Sequence, residues 1–413
     1  MASFDLTAAS NILKTRYIGP IREQLNNGTI LMSRIMKDTS TQSVSGKSFT
    51  VPLHTSRNRT AGRGTSDGGA LQTAATQGYD VAVVPNKYQY AVIEVTGPTV
   101  AATKDNAGAF VQALDSEING AVRDMKRAMN RQMHSDGTDR LAVWTGADDA
   151  TTANVDDGRG NYFVHLQSGA TTCDVIDYSS GSTGTVLGNS IALTLGGSSS
   201  AGYTVAWSAG TISGTADNDY VVLEDSLGYQ LMGLDGIIST GDPLLLSAGL
   251  HGLAAASNSW WQSQVVSNSG TNRALTLELM QQPLDLIATN SDYTDQDVEF
   301  LMSSYGVRAK YIAQLVADKR HVNTMNLDGG FKGVEFNGIP LVPDPQCKKN
   351  RIYYIVPECL KIFRTSDFDW MSKDGSQLAR VDGYDKYRAV LYHYGDLACV
   401  CRNGLGLLDD LSE

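Results

Sequence analysis

Residues 109 to 133, AFVQALDSEINGAVRDMKRAMNRQM, constrain the fold more than any other stretch of the chain. The large apolar residues Phe110, Val111, Leu114, Ile118, Val122, Met125, Met129 and Met133 recur every three to four positions, the spacing of one helical face. Asp115, Glu117, Arg123, Asp124, Lys126, Arg127 and Arg131 fill the other face. Asp105 or Asn106 can cap the start and Gly137 the end, giving a helix of roughly 40 Å at about 1.5 Å per residue. An average globular helix has about 11–12 residues. One narrow stripe predicts a helix laid across a single sheet rather than wrapped in a core. A long strut of this kind needs something flat to brace.

The segment before it reads as a long hairpin, residues 44–95. In KSFTVPL, Phe49, Val51 and Leu53 point one way and Thr50 and Pro52 the other. DVAVV (80–84) and KYQYAVIEV (87–95) read as its return strands. The intervening TSRNRTAGRGTSDGGALQTAATQG has a single large apolar residue, Leu71, and cannot bury itself. Loops of this length are usually functional or disordered, and a lone two-stranded hairpin is marginal in water. Either the element moves freely or a neighbouring molecule holds it. In the second case Arg57, Arg59 and Arg63 would meet an acidic surface.

Charge is unevenly spread over a chain whose net charge is -11. Residues 1–64 carry nine Lys and Arg against three Asp and Glu, whereas 148–242 carry only Arg159 against twelve acids. That asymmetry suits attraction between copies of the chain, or equally a mobile basic arm and a solvated acidic stretch. Residues 1–37 form the arm, with Leu6, Ile12, Leu13, Tyr17, Ile21 and Leu25 on a helix broken at Gly19–Pro20. The acidic stretch has short alternating runs, SIALTL, YTVAW and YVVLED, separated by turns, and predicts a small antiparallel β domain or barrel. From 243 the pattern is α+β. Helices are expected at 273–289, 295–304 and 307–317. Strands are expected near 338–342, 351–356, 360–364, 386–394, 397–401 and 405–408.

Signals for catalysis are weak. Gly46–Lys47–Ser48 lacks the earlier glycine of a phosphate loop, because position 41 is Thr, and a strand follows it. The six histidines, His54, His134, His165, His251, His321 and His393, are scattered without metal-ligand spacing. Cys399 and Cys401 would share one face of a strand, most simply as a buried pair. Five cysteines without metal spacing suggest reduced thiols made in a cytoplasm. Asp292, Asp295, Asp297 and Glu299 read as helix-capping acids after Thr294. No cofactor is implied. No apolar run reaches the roughly 20 residues of a membrane span. No basic stripe interleaved with aromatics marks a nucleic-acid site, and the acidic total suits enclosing DNA without gripping it.

Basic arm, protruding hairpin, spine-like helix and α+β remainder, in that order, resemble the major capsid proteins of tailed double-stranded DNA bacteriophages, the Hong Kong 97-type fold. MGLDGIIST (232–240) looks like the segment after the inserted region of such proteins. SGTNRALTLELMQQPLDLI (269–287) looks like their first axial-domain helix. GGFKGVEFNGIPLVPD (329–344) looks like their loop and strand, with a tight turn at Asn337–Gly338, and DKYRAVLYHYGDLACVCRNGLGLLDDL looks like the closing peripheral sheet.

The resemblance implies an arm at 1–37, an extended loop and leading strand at 38–104 and a peripheral domain with its spine helix at 105–147. An inserted β-rich acidic domain follows at 148–242, an axial domain with connecting segments at 243–375 and closing peripheral strands at 376–413. It implies hexamers and pentamers of the chain closing an icosahedral shell around double-stranded DNA, in a virion assembled in the host cytoplasm. Contacts between subunits would involve Lys47, Arg57, Arg59, Arg63 and Leu71 in the loop, and Arg16, Tyr17 and Arg22 in the arm. Phe110, Leu114, Ile118, Val122, Met125 and Met129 would form the spine's core stripe. Portal and scaffolding proteins are further implied partners, and a decoration protein is an optional one. The only lysine between 38 and 86 is Lys47, at the hairpin's base, so no isopeptide cross-link is expected. The arm follows Met1 directly, so a separate scaffold is expected. Competing readings are an encapsulin shell around cargo enzymes, a tail or baseplate protein, and a β-rich hydrolase using some of the scattered acids.

Overall fold

The computed structural model describes residues 29–38, 42–43, 47–99, 113–138, 140–145, 152–156, 171–178, 184–199, 202–207, 219–317, 324–327, 331–372 and 379–413. The expected spine is helical from Ala113 to His134. Its expected start, with Phe110, lies outside the described residues, as does the Leu114 side chain. Ile118 and Val122 are half-buried, and Met125, Met129 and Met133 are buried. The last three turns depart from the expectation of a single stripe. Arg127, Asn130, Arg131, Gln132 and His134 are buried as well. The helix Ile30–Asp38 and the segment around Leu231–Ile238 pack on that end and enclose its polar side. At Gly233 an added Cβ would lie 2.3 Å from the Gln132 carbonyl oxygen and 2.4 Å from that of Ser135.

The spine lies across a sheet built on the strand Lys386–Cys399. Lys87–Thr96 pairs with it in antiparallel register over its whole length, from Lys386↔Thr96 to Gly395↔Lys87. This corrects the sequence assignment of 87–95 to the hairpin. The hairpin is Ser48–Ser56 with Gly78–Pro85 alone. Pro85 has no amide hydrogen to continue the ladder, and the chain changes sheets there. Leu360–Trp370 pairs on the other side of Lys386–Cys399, and the expected separate strands 386–394 and 397–401 are one.

Six strands close a barrel in the order Tyr220–Leu223, Arg140–Thr145, Thr152–Asp156, Gly202–Trp207, Thr185–Ser199 and Thr171–Asp177. Cys173, Val175, Ile176, Ile191, Val221 and Val222 are buried. The barrel takes in Arg140–Thr145, upstream of the boundary drawn at 148.

A seven-stranded mixed sheet runs Gln264–Val266, Gly406–Leu408, Ile352–Ile355, Phe300–Ser303, Ile339–Pro343, Phe331–Phe336 and Thr324–Leu327. Gly406–Leu408 pairs with Gln264–Val266 and Ile352–Ile355, so the chain's last strand belongs to this sheet and not to the spine's. FLMS, IPLVP and IYYI are buried at every residue, as expected of strands covered on both faces. Helices Leu277–Asn290 and Tyr305–Ala317 contribute Met280, Leu284, Ile287, Val307 and Tyr311 to the same core. Thr276 caps the first, its side chain accepting from the Leu279 amide at 3.2 Å. The expected helix at 295–304 is absent. Asp297 instead accepts from the Thr294 amide and hydroxyl at 2.7 and 2.9 Å in a tight turn, and the buried strand Phe300–Ser303 follows. Asn337 and Gly338, at φ 50° and 81°, make the expected hairpin turn.

Candidate assembly surfaces

The hairpin is anchored along the inner face of its strands, where Ala82, Val51 and Leu53 pack on the main core, and at its base. Phe49 stacks on Phe363 at 5.3 Å and packs with Val84 and Ala398, and the Val83 amide donates to the His251 carbonyl at 2.8 Å. Strand alternation then forces Tyr79, Val81 and Val83 outward, at 72%, 47% and 41% exposure. The tip holds itself by polar bonds: Asn58 Nδ2 donates to the Ala75 carbonyl at 2.7 Å and its Oδ1 accepts from the Thr60 amide at 2.9 Å. Leu71 stands 88% exposed. Lys47, Arg57, Arg59 and Arg63 are all exposed. The structure therefore brings the loop residues singled out in the sequence onto one solvated projection. Arg16, Tyr17 and Arg22 lie outside the described residues.

The sheet over the spine offers a second apolar face, which the sequence reading missed. Of the odd-numbered residues of Lys87–Thr96, Ile93 and Val95 are buried with Ala389 and Leu391, and Lys87, Gln89 and Ala91 are half-buried. Even-numbered Tyr88, Tyr90 and Val92 project to solvent at 52%, 54% and 56% exposure. Register places them opposite Tyr394, Tyr392 and Val390. Tyr88 and Tyr90 meet the Tyr394 ring edge-on at 5.1 and 5.8 Å, and Tyr392 meets it at 4.8 Å. The alternation of YQYAV was a usable signal, but only the pairing with Lys386–Cys399 gathers the two rows into one patch.

Polar clusters lock the elements beneath these surfaces. The Asp344 carboxylate, buried, accepts from the Leu31 amide, Asn130 Nδ2 and the Gln346 amide at 3.3, 3.3 and 2.8 Å, with His134 Nε2 at 3.3 Å. It fastens the helix Ile30–Asp38 to the spine's end. Burial pushes the Asp344 carboxyl up, but neighbouring His134 and the hydrogen bonds from the Gln346 amide and Asn130 hold it below its ordinary value. Asp235 receives Arg351 at 2.7 Å and the Tyr353 hydroxyl, while Arg351 also reaches Asp409 at 2.8 Å. Arg402 is wholly buried and donates to the carbonyls of Ile237, Trp261 and Gly241 at 2.8, 3.1 and 2.5 Å.

Among the described residues the histidines do not gather into a site. His54 is exposed beside Gln77, and His134, His251 and His393 are separately buried. Burial lowers His251 and His393 to about 4, so both are neutral near pH 7. His165 and His321 lie outside the described residues. Among the described residues no three His, Cys, Asp or Glu side chains converge as metal ligands, and no helix is long and apolar enough to cross a membrane. Cys401 lies beyond the end of its strand, beside Cys359 rather than sharing a strand face with Cys399.

No protein-family model and no curated protein matches the sequence. Solved structures do match in fold. A chain of the cyanophage A-1(L) capsid asymmetric unit superposes with a TM-score of 0.63, covering 98% of both chains at 13% identity. The fold is shared with capsid subunits. A chain from the capsid of a native GTA particle gives a TM-score of 0.51 over 100% of both chains at 11% identity. A chain of the holo-SrpI encapsulin complex from Synechococcus elongatus PCC 7942 gives 0.49 over 100% of this chain and 97% of that one at 9% identity, too low a score to weigh.

Proposed function

We propose that the chain is the major capsid protein of a tailed double-stranded DNA bacteriophage, a structural subunit rather than an enzyme. One observation carries this reading beyond the fold: the subunit exposes two separate apolar strand faces and a projecting leucine. One face is Tyr79–Val81–Val83 on the hairpin, and the other is Tyr88–Tyr90–Val92 on the peripheral sheet. Large exposed apolar patches are uncommon on free monomers and mark contacts. Different patches on one chain make head-to-tail contacts, which close into rings where the rotation permits. Rings of six and five, closing a shell, are the assemblies proposed. Many modest contacts per subunit then add through multivalency.

In this reading the hairpin and the arm lie over neighbouring subunits, with Arg57, Arg59 and Arg63 facing acids. The seven-stranded sheet forms the axial part, and the barrel is an acidic insertion. Portal and separate scaffolding proteins are partners, a decoration protein is an optional one, and the packaged DNA is a non-specific neighbour. Electron microscopy of the purified chain, with and without a co-expressed scaffold, tests the reading. Closed shells or capsomers are expected. A small monodisperse oligomer under all conditions would overturn it, tubes would indicate a tail protein, and particles filled with cargo enzyme would indicate an encapsulin.

A further inference from the structure

All five cysteines, Cys173, Cys347, Cys359, Cys399 and Cys401, are free thiols, and two of them are arranged unlike the others. Leu360 is in register with Cys399, and the Val400 amide donates to the Cys359 carbonyl at 2.9 Å. Cys359 is therefore opposite Val400 and one step diagonal from Cys401. Adjacent positions at a ladder's end fall near the roughly 4.4–6.8 Å α-carbon range that a disulfide spans. The ladder ends there in two short 3-10 turns, Pro357–Cys359 and Arg402–Gly404, with Cys359 closing the first and Cys401 capping the second. The two side chains and the Tyr293 hydroxyl lie close enough to shift one another's acidity. Gly404 closes it from behind. A Cβ there would lie 2.7 Å from Cys359 Sγ and 2.7 Å from the Tyr293 ring.

The two sulfurs differ in access. Cys359 is 0% exposed. Cys401 is part-exposed and lines a cavity of 540 Å³, together with Tyr293, Asn403 and Trp260, whose other wall is the hairpin strand from Pro52 to Arg57. Asn403 orients the accessible thiol, taking its hydrogen bond at 3.1 Å while donating to the Asn290 carbonyl at 2.9 Å.

We propose that Cys401 and Cys359 form a redox site, in which hydrogen peroxide entering the cavity converts the dithiol to an intramolecular disulfide. The Cys401 thiolate attacks one peroxide oxygen, the O–O bond breaks, and water leaves once the second oxygen takes up a proton. Cys401 is then a sulfenic acid. The Cys359 sulfur attacks Cys401 Sγ, the S–O bond breaks, and the hydroxyl leaves as water with the Cys359 proton. Two thiols are oxidised and one peroxide is reduced to two waters. The order follows from access and from acidity. The neighbouring Cys359 side chain holds the Cys401 thiol below its ordinary value against the opposing effect of burial, while Cys401 and burial push Cys359 up. The new bond ties the two turns together beside the hairpin's anchor. The inference concerns a single subunit and does not depend on the shell reading.

The test is peroxide treatment of the reduced full chain, then alkylation, intact-mass measurement and peptide mapping. The expected result is a loss of two hydrogens, two fewer alkylated thiols, and Cys359 and Cys401 peptides joined until a reductant is added. Cys401→Ser should abolish the reaction, and Cys359→Ser should stop it at a sulfenic acid on Cys401 that dimedone traps. In urea the preference for this pair should vanish. Should a serine variant fail to fold, the wild-type map decides alone. Linkage of Cys401 to Cys399 or Cys347, a bond between two chains, or equal reaction of all five thiols in the native protein would overturn the proposal.

Discussion

Leu71→Ser separates assembly from folding. Leu71 is 88% exposed in the subunit, so its side chain contributes almost nothing to the fold, and the substitution should change subunit stability by less than about 0.5 kcal/mol. Burying a leucine side chain completely is worth roughly 1.5–3 kcal/mol. If a neighbour covers the 88% that is exposed, serine loses about 2 kcal/mol per contact, or about thirtyfold in that contact's equilibrium constant. In a closed shell every subunit both gives and receives the contact, so the concentration at which particles appear should rise at least as steeply. Light scattering against concentration gives that threshold, and thermal melting of the unassembled subunit gives the control. An unchanged threshold would refute the assignment of the tip to an interface. An unchanged threshold with a lowered melting point would show that Leu71 packs within its own subunit.

Four further outcomes follow from the same geometry. Changing Arg57, Arg59 and Arg63 together to Ser should lower assembly yield and flatten its dependence on salt, measured by sedimentation across ionic strengths. Arg402→Met leaves the Trp261 and Gly241 carbonyls without the guanidinium that serves them and should cost about 3 kcal/mol in urea unfolding, against under about 1 for a surface arginine. Burial raises Asp396 to about 7 despite hydrogen bonds from the Met232 and Leu397 amides. Its folded value lies above its unfolded one, so its contribution is fully present below about pH 4 and is lost as pH rises to about 7, a swing of roughly 4 kcal/mol that Asp396→Asn should flatten in unfolding curves. Gly233→Ala must push backbone from backbone at the spine's end and should lower stability by about 3 kcal/mol, read as an earlier thermal transition.

The residues of the strut were legible because a helix's period is local. Met125, Met129 and Met133 are buried as the three-to-four spacing requires. Its polar residues were misread for the complementary reason. Arg127 and Arg131 look like a polar outer face until distant segments, Ile30–Asp38 and Leu231–Ile238, are folded onto them. The exposed loop residues were likewise visible in composition, since a tip with one large apolar residue has nothing to bury. The helix expected at 295–304 failed because four buried residues, FLMS, have no period of their own, and only strand neighbours 339–343 and 352–355 decide their state.

The sequence by itself determined where the chain could turn, which faces were apolar and which segment was too polar to bury. These are properties of neighbouring residues, and period and propensity record them. The tertiary structure alone decided that Lys87–Thr96 leaves the hairpin for Lys386–Cys399, which makes a tyrosine face out of two rows some three hundred positions apart. It also decided that Gly406–Leu408 joins the seven-stranded sheet, and that Cys401 faces Cys359 rather than Cys399. Strand pairing exchanges hydrogen bonds between segments of any separation, so its register is set by the whole fold and leaves no local mark.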